Sequence, residues 1–142
     1  MTKKDTAFHS QKAPEPVGRY PHARRVGDFL FLSGVGPRKR GSKEIPGVTL
    51  GRGGEIVGYD IEIQTLSVFE NVRTILEEAG ARWDQLVDVT VYLTNMKSDF
   101  PTMNRLWADA FIQNPPCRTT IEVGALPTPI AVELKCVAYL GY

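Results

Sequence analysis

Asp60-Ile-Glu-Ile-Gln-Thr-Leu-Ser-Val-Phe-Glu-Asn-Val-Arg-Thr-Ile-Leu-Glu-Glu-Ala-Gly80, followed after five intervening residues by Leu86-Val-Asp-Val-Thr-Val-Tyr-Leu93, decides the layering of this chain. In the first run Ile61, Leu66, Phe69, Val72, Ile75, Leu76 and Ala79 recur at helical spacing. Asp60 can cap the first turn, and Gly80 stands where a helix end favours a left-handed residue. In the second run the period drops to two, with Val87, Val89, Val91 and Leu93 on one face. A helix with one apolar stripe, followed by a strand with one apolar face, reads as a helix laid on a sheet.

The same alternation of periods extends outward. Asp99 and Pro101 are expected to open a second helix with the stripe Met103, Leu106, Trp107, Ala110 and Phe111, which Asn114-Pro-Pro116 stops. Residues 118–123 and 130–140 read as strands joined by a connection over 124–129. On the last strand Ile130, Val132, Leu134, Cys136, Ala138 and Leu140 share one face, and Ala131, Glu133, Lys135, Val137 and Tyr139 the other. Upstream, the runs on either side of Gly27-Asp28 form a β-hairpin ending at Ser33. Ser33-Gly-Val-Gly-Pro37 breaks it, Arg38-Lys-Arg-Gly-Ser-Lys43 follows as an exposed basic loop, and 46–58 hold a short third strand. Residues 1–17 are polar and read as a flexible arm, leaving 18–142 as a single α+β domain with two helices on one face of its sheet.

The chain has 142 residues, 42% hydrophobic and 23% charged, the balance of one globular domain. No apolar run is long enough to span a bilayer, the N-terminus lacks a signal-peptide core, and the two cysteines read as reduced core or near-core residues; a cytoplasmic protein is expected. The net charge of +1 excludes a globally basic nucleic-acid binder. The charge is uneven: residues 1–45 carry ten Lys/Arg against four Asp/Glu, and 46–142 carry seven against twelve. That asymmetry fits either a solvated basic segment or a source of cations for an anionic small molecule.

Familiar catalytic patterns are missing. Pro116-Cys117 has no second cysteine three residues on, and neither His9 nor His22 is followed by Glu as a zinc deaminase requires. Gly51-Arg-Gly-Gly54 lacks the Lys-Ser/Thr ending of a phosphate loop, and Ser33 lacks the glycine of a nucleophile elbow. What remains is Arg118 sharing a strand face with Thr120 and Glu122, and Glu133 in the middle of a mostly apolar strand. Taken alone, these also fit the wet side of a one-faced sheet.

Several segments together resemble the reactive-intermediate (imine/enamine) deaminases, the Rid or YjgF-type family. They are Gly18-Arg-Tyr20, Leu32-Ser-Gly34, Gln64, Glu70-Asn-Val-Arg-Thr-Ile-Leu-Glu-Glu-Ala-Gly80, Pro116-Cys-Arg-Thr-Thr-Ile-Glu-Val-Gly-Ala-Leu-Pro127 and Val132-Glu-Leu-Lys-Cys-Val-Ala138. The resemblance spans about residues 18–142. Within the family, residues 18–34 are most similar to the 2-aminomuconate deaminases of aromatic catabolism. It implies a chorismate-mutase-like α+β fold with a mixed sheet, a homotrimer with sites between subunits, and no cofactor. By position, Arg118 would hold the substrate carboxylate and Glu133 would work with the hydrolytic water, while Tyr20, Gly34 and Asn104 would line the pocket. Thr120 stands where the family often has cysteine, and Lys135 where it often has a second glutamate.

The implied substrate is a small anionic 2-imino or 2-enamino carboxylate, with 2-aminomuconate preferred; neither nucleic acid nor membrane is expected as a partner. General clearance of reactive imines by a 2-iminoacid deaminase and a non-catalytic trimeric small-molecule binding or chaperone-like module are the alternatives. A guanidinium can grip the planar carboxylate with two hydrogen bonds, and one carboxyl can take a proton from water and return it to nitrogen. A dicarboxylate needs a second cation. Alternation in the hairpin puts Tyr20, His22 and Arg24 on one side, making His22 and Arg24 the first candidates and the Arg38–Arg40 loop the second.

Overall fold

The computed structural model describes residues 5–141. Eight strands are formed in chain order: β1 (Asp5–Phe8), β2 (Ala23–Val26), β3 (Phe29–Leu32), β4 (Val48–Leu50), β5 (Ile56–Tyr59), β6 (Leu86–Leu93), β7 (Cys117–Glu122) and β8 (Val132–Tyr139). Helix α1 covers Ile61–Glu78 and α2 covers Met96–Ala110. Six strands make the main sheet in the order β1-β2-β3-β8-β6-β7, antiparallel throughout except for β6 and β7; β4 and β5 form a separate hairpin. Both helices pack on one face, and the fold is α+β with a mixed sheet.

The long elements follow the sequence pattern. Asp60 caps α1, its carboxylate accepting from the backbone N–H of Glu62 (2.9 Å) and Ile63 (3.2 Å), and Gly80 follows the helix with φ of 83°. Val68, Phe69, Val72, Ile75 and Leu76 are buried against the sheet, whereas Leu66, expected in the stripe, points outward at 48% exposure. Across β8 the even-numbered residues Val132 to Ala138 are buried and the odd-numbered ones half-buried. Cys136 is wholly buried, and burial pushes its thiol up to about 12; Cys117, expected near the core, is exposed. Replacing Asp60 with Ala is expected to lower the unfolding free energy by about 1 kcal/mol in urea titration; an unchanged midpoint would mean that other contacts hold the first turn.

Further expectations are corrected. Where one short strand is expected over 46–58 the chain forms two, β4 and β5, and a bulge between Leu86 and Asp88 takes Val87 off the buried face of β6, which Leu86 joins instead. Helix α2 begins three residues earlier than expected, at Met96, because Asn95 caps it by accepting from the Ser98 N–H at 3.1 Å. Pro101 therefore lies inside the helix, early enough that its missing N–H interrupts only the second turn. The segment 5–17, expected as an arm, is a strand and a packed loop, while residues 1–4 lie outside the described residues. β1 pairs with β2, and Arg24 grips Asp5 with two hydrogen bonds of 2.7 Å. Ser10 and Ala13 are buried, and Glu78 accepts from the Ser10 hydroxyl and from the Gln11 N–H. No helix among the described residues is long and apolar enough to cross a membrane.

Candidate functional site

After β3 the backbone crosses to β8 and pairs once more, Val35 and Leu134 exchanging hydrogen bonds of 2.8 and 2.9 Å. That pairing sets Gly34 beside Glu133. A Cβ on residue 34 would lie 2.5 Å from Glu133 Oε2 and 3.0 Å from its Cδ, so the missing side chain is the space the carboxyl group occupies. Gly34→Ala is expected to push the flexible carboxyl group aside, lowering kcat more than tenfold while the melting temperature changes little; full activity would show that the carboxyl position is not critical.

Glu133 sits at the wall of a cleft of about 100 Å³ with Tyr20, Gly34, Gly36, Arg38 and Thr128. Tyr20, Gly34, Gly36 and Arg38 also line an adjoining hollow of about 40 Å³, bounded by Pro14, Pro16, His22 and Ser33. Burial pushes the Glu133 carboxyl above the ordinary glutamate value, and the nearby charge of Arg38 opposes it. Arg38, rather than Arg118 or Lys135, is the cation that Glu133 feels. Lys135 is turned to donate to the Leu32 carbonyl, and burial draws its own pKa down.

Arg118 is elsewhere. The parallel pairing of β6 with β7 matches Val89 to Arg118 and Val91 to Thr120, and both valines are fully buried under the helices. Arg118 and Thr120 therefore rise on the helix side of the sheet, beyond α2. The Arg118 guanidinium carbon stands 5.0 Å from the ring centre of Trp107 and 5.6 Å from that of Phe100, so Trp107 is a platform as well as a core residue. Burial lowers the Arg118 pKa, but an arginine stays charged. Thr120 borders a shallow hollow with Met96, Phe100 and Pro101, and Asn104 is exposed on α2 one turn beyond Phe100. Glu133, by contrast, is matched to Tyr92, whose neighbours Val91 and Leu93 are the buried ones. Within one chain Arg118 and Glu133 thus lie on opposite faces of the sheet.

His22 and Arg24 do not form the expected anion site. His22 Nδ1 accepts from the Ser10 N–H at 3.0 Å and Nε2 lies 2.7 Å from the Pro14 carbonyl, which assigns a neutral ring with its proton on Nε2 and both nitrogens in use. Arg24 is exposed and bound to Asp5. Both fasten residues 5–17 to the domain. Arg38, which lines the cleft, and Asn71, which holds the Arg38 loop, are the residues that pattern reading underrates. Asn71 Nδ2 donates to the carbonyls of Gly36 (2.9 Å) and Arg38 (2.8 Å), fixing a loop whose sequence suggests only mobility. The one local hint is a half-buried asparagine in the middle of α1.

Comparison with known proteins places these features in context. The model of the endoribonuclease L-PSP family matches residues 10–140. A RutC family protein of Pyrococcus abyssi is 41% identical over 130 residues, covering 92% of this chain and 93% of the relative. Reactive Intermediate Deaminase A of Arabidopsis thaliana, a chloroplastic protein, is 33% identical over 137 residues, covering 96% and 67%. Among solved structures, RidA from an Antarctic Psychrobacter superposes with a TM-score of 0.80 at 29% identity, covering 94% of this chain and 98% of that one.

Proposed function

The chain belongs to the endoribonuclease L-PSP family, whose members include RutC and reactive-intermediate-deaminase proteins, and from that premise we propose that it hydrolyses a 2-imino or 2-enamino carboxylate to the 2-oxo acid and ammonia. The observation that carries this reading is Glu133, a carboxyl group raised in pKa by burial, at the wall of a cleft and close against Gly34. Water adds to the imine carbon while Glu133 takes its proton, and the same carboxyl then gives that proton to the nitrogen. In the resulting carbinolamine the hydroxyl proton passes by way of Glu133 to the amino nitrogen as the C=O forms and the C–N bond breaks, so ammonia leaves with three hydrogens; an enamine enters the same route as its imine tautomer. The imine carbon is already electrophilic, so the reaction asks for orientation and one proton carrier but no cofactor.

The carboxylate beside the imine falls to Arg118 of a second copy, since Arg118 and Glu133 of one chain are on opposite faces of the sheet. Thr120 and Asn104 accompany Arg118 on that second wall, and Tyr20 and Gly34 accompany Glu133 on the first. The sheet face away from the helices supplies surface for such an assembly, with Phe29 and Phe31 at 43% and 40% exposure and Val26 and Ile121 similarly open. A homotrimer is expected by light scattering at micromolar concentration; a monomer would remove the shared site.

The preferred substrate in this reading is 2-aminomuconate, as in aromatic-compound catabolism, which suits the similarity of residues 18–34 and the cation Arg38 in the cleft. Ammonia release from enzymatically generated 2-aminomuconate and from 2-iminopropanoate, each with its spontaneous rate subtracted, tests it. Faster release from 2-aminomuconate is expected. A preference for 2-iminopropanoate would leave general imine clearance, and no acceleration of either would leave a binding module.

A further inference from the structure

Among the described residues Arg24, Arg25, Arg40, Arg82 and Arg105 each have a carboxylate oxygen within 4.0 Å; Arg38, like Arg19, Arg52, Arg73 and Arg118, has none, although its charge acts on the carboxylates of Glu15 and Glu133. Its guanidinium donates at 2.7 Å to a neutral acceptor, the Glu15 carbonyl oxygen, while the Glu15 carboxylate is bound by Arg40 at 3.6 Å. Arg38 is half-buried, and its backbone is held by Asn71, so its position at the cleft is built rather than incidental. It lines both the Glu133 cleft and the adjoining hollow behind Tyr20. A half-buried guanidinium with spare donors, on a residue that lines both hollows, is suited to an anion.

We infer that Arg38 binds a second anionic group of the substrate, remote from the imine, and that Asn71 is the positioning residue that holds it there. The inference rests on the imine-hydrolysis reading for the identity of the reacting group, and adds to it the residues that would select imino acids with a distal carboxylate. The carboxylate beside the imine goes to Arg118 of a second copy, the imine carbon to Glu133, and the distal carboxylate to Arg38. His22, with both ring nitrogens occupied, and Arg24, paired with Asp5, do not compete for it.

The test compares imines made by amino-acid oxidases from glutamate and from methionine, similar in length but differing in the distal charge. Arg38→Met is expected to lower kcat/KM for the glutamate-derived imine about tenfold or more beyond its effect on the methionine-derived one, mostly through KM. Any change in Glu133 ionisation acts on both imines alike and cancels in that ratio. Asn71→Leu should shift the ratio in the same direction, by less. Calorimetric binding of the stable 2-oxo acids of glutamate and methionine gives a readout without turnover. Selective loss of the dicarboxylate in Arg38→Met is expected, even if neither imine is hydrolysed. Equal losses for both ligands, or none for either, would overturn the assignment of Arg38. Selective binding without hydrolysis would sink the deaminase reading alone.

Discussion

Glu133→Gln is expected to fold and assemble normally yet lose about two to four orders of magnitude in kcat, because the amide keeps the shape and hydrogen bonding but cannot carry a proton between water and nitrogen. Wild-type activity should fall at acid pH with a limb above 4.5, the ordinary glutamate value, since burial raises the pKa of the group that must accept the proton. The same shift has a consequence for stability. A carboxyl whose folded pKa is raised stabilises the fold below its unfolded pKa, and this contribution is lost as pH rises through the folded value. Above its folded pKa the wild type therefore carries an ionised, half-buried carboxylate that Glu133→Gln does not. In that range the variant should be more resistant to urea than the wild type, with the difference closing at about pH 4. A fully active Glu133→Gln protein would remove the residue from the chemistry.

Arg118→Ala should lower kcat/KM by about 2 to 5 kcal/mol of transition-state binding, because it removes a charged, two-pronged grip on the carboxylate. Arg118→Lys should recover little of the loss. Lysine keeps the charge but lacks the flat guanidinium that lies near Phe100 and Trp107 and presents two parallel donors. Steady-state kinetics of both variants decide this, and a lysine variant with near-normal kcat/KM would reduce Arg118 to a source of positive charge.

Much of the scaffold is legible because it is encoded locally. The stripe of α1, its Asp60 cap and Gly80 terminus, the alternation of β8 and that of β6 from Val89 to Leu93 each follow from a period that a single element satisfies. The elements misread are those whose structure depends on distant residues. β1 is four residues, Asp5-Thr-Ala-Phe8, without alternation, and its place is set by Arg24 and by the His22 contact with Ser10. Pro101 looks like a helix start only when Asn95 is overlooked as the cap. The site shows the same division. Alternation tells which residues share a face within one strand, so Glu133 is separable from Leu134 by sequence. It does not tell how the face of β7 relates to that of β8, because the β6–β7 and β6–β8 registers decide that. Arg118 and Glu133 could therefore be picked out as a pair without any sign that one chain keeps them apart.

That separation can be tested by mixing two inactive proteins. Arg118→Ala and Glu133→Gln chains, co-expressed or unfolded and refolded together, should form mixed assemblies in which an intact Glu133 from one chain meets an intact Arg118 from the other. With random mixing in a closed ring, about one quarter of the sites carry both residues, so activity should return to about that fraction of the wild-type level. If mass spectrometry shows mixed assemblies and their activity stays at the level of the two single variants, the site does not combine Glu133 of one copy with Arg118 of another.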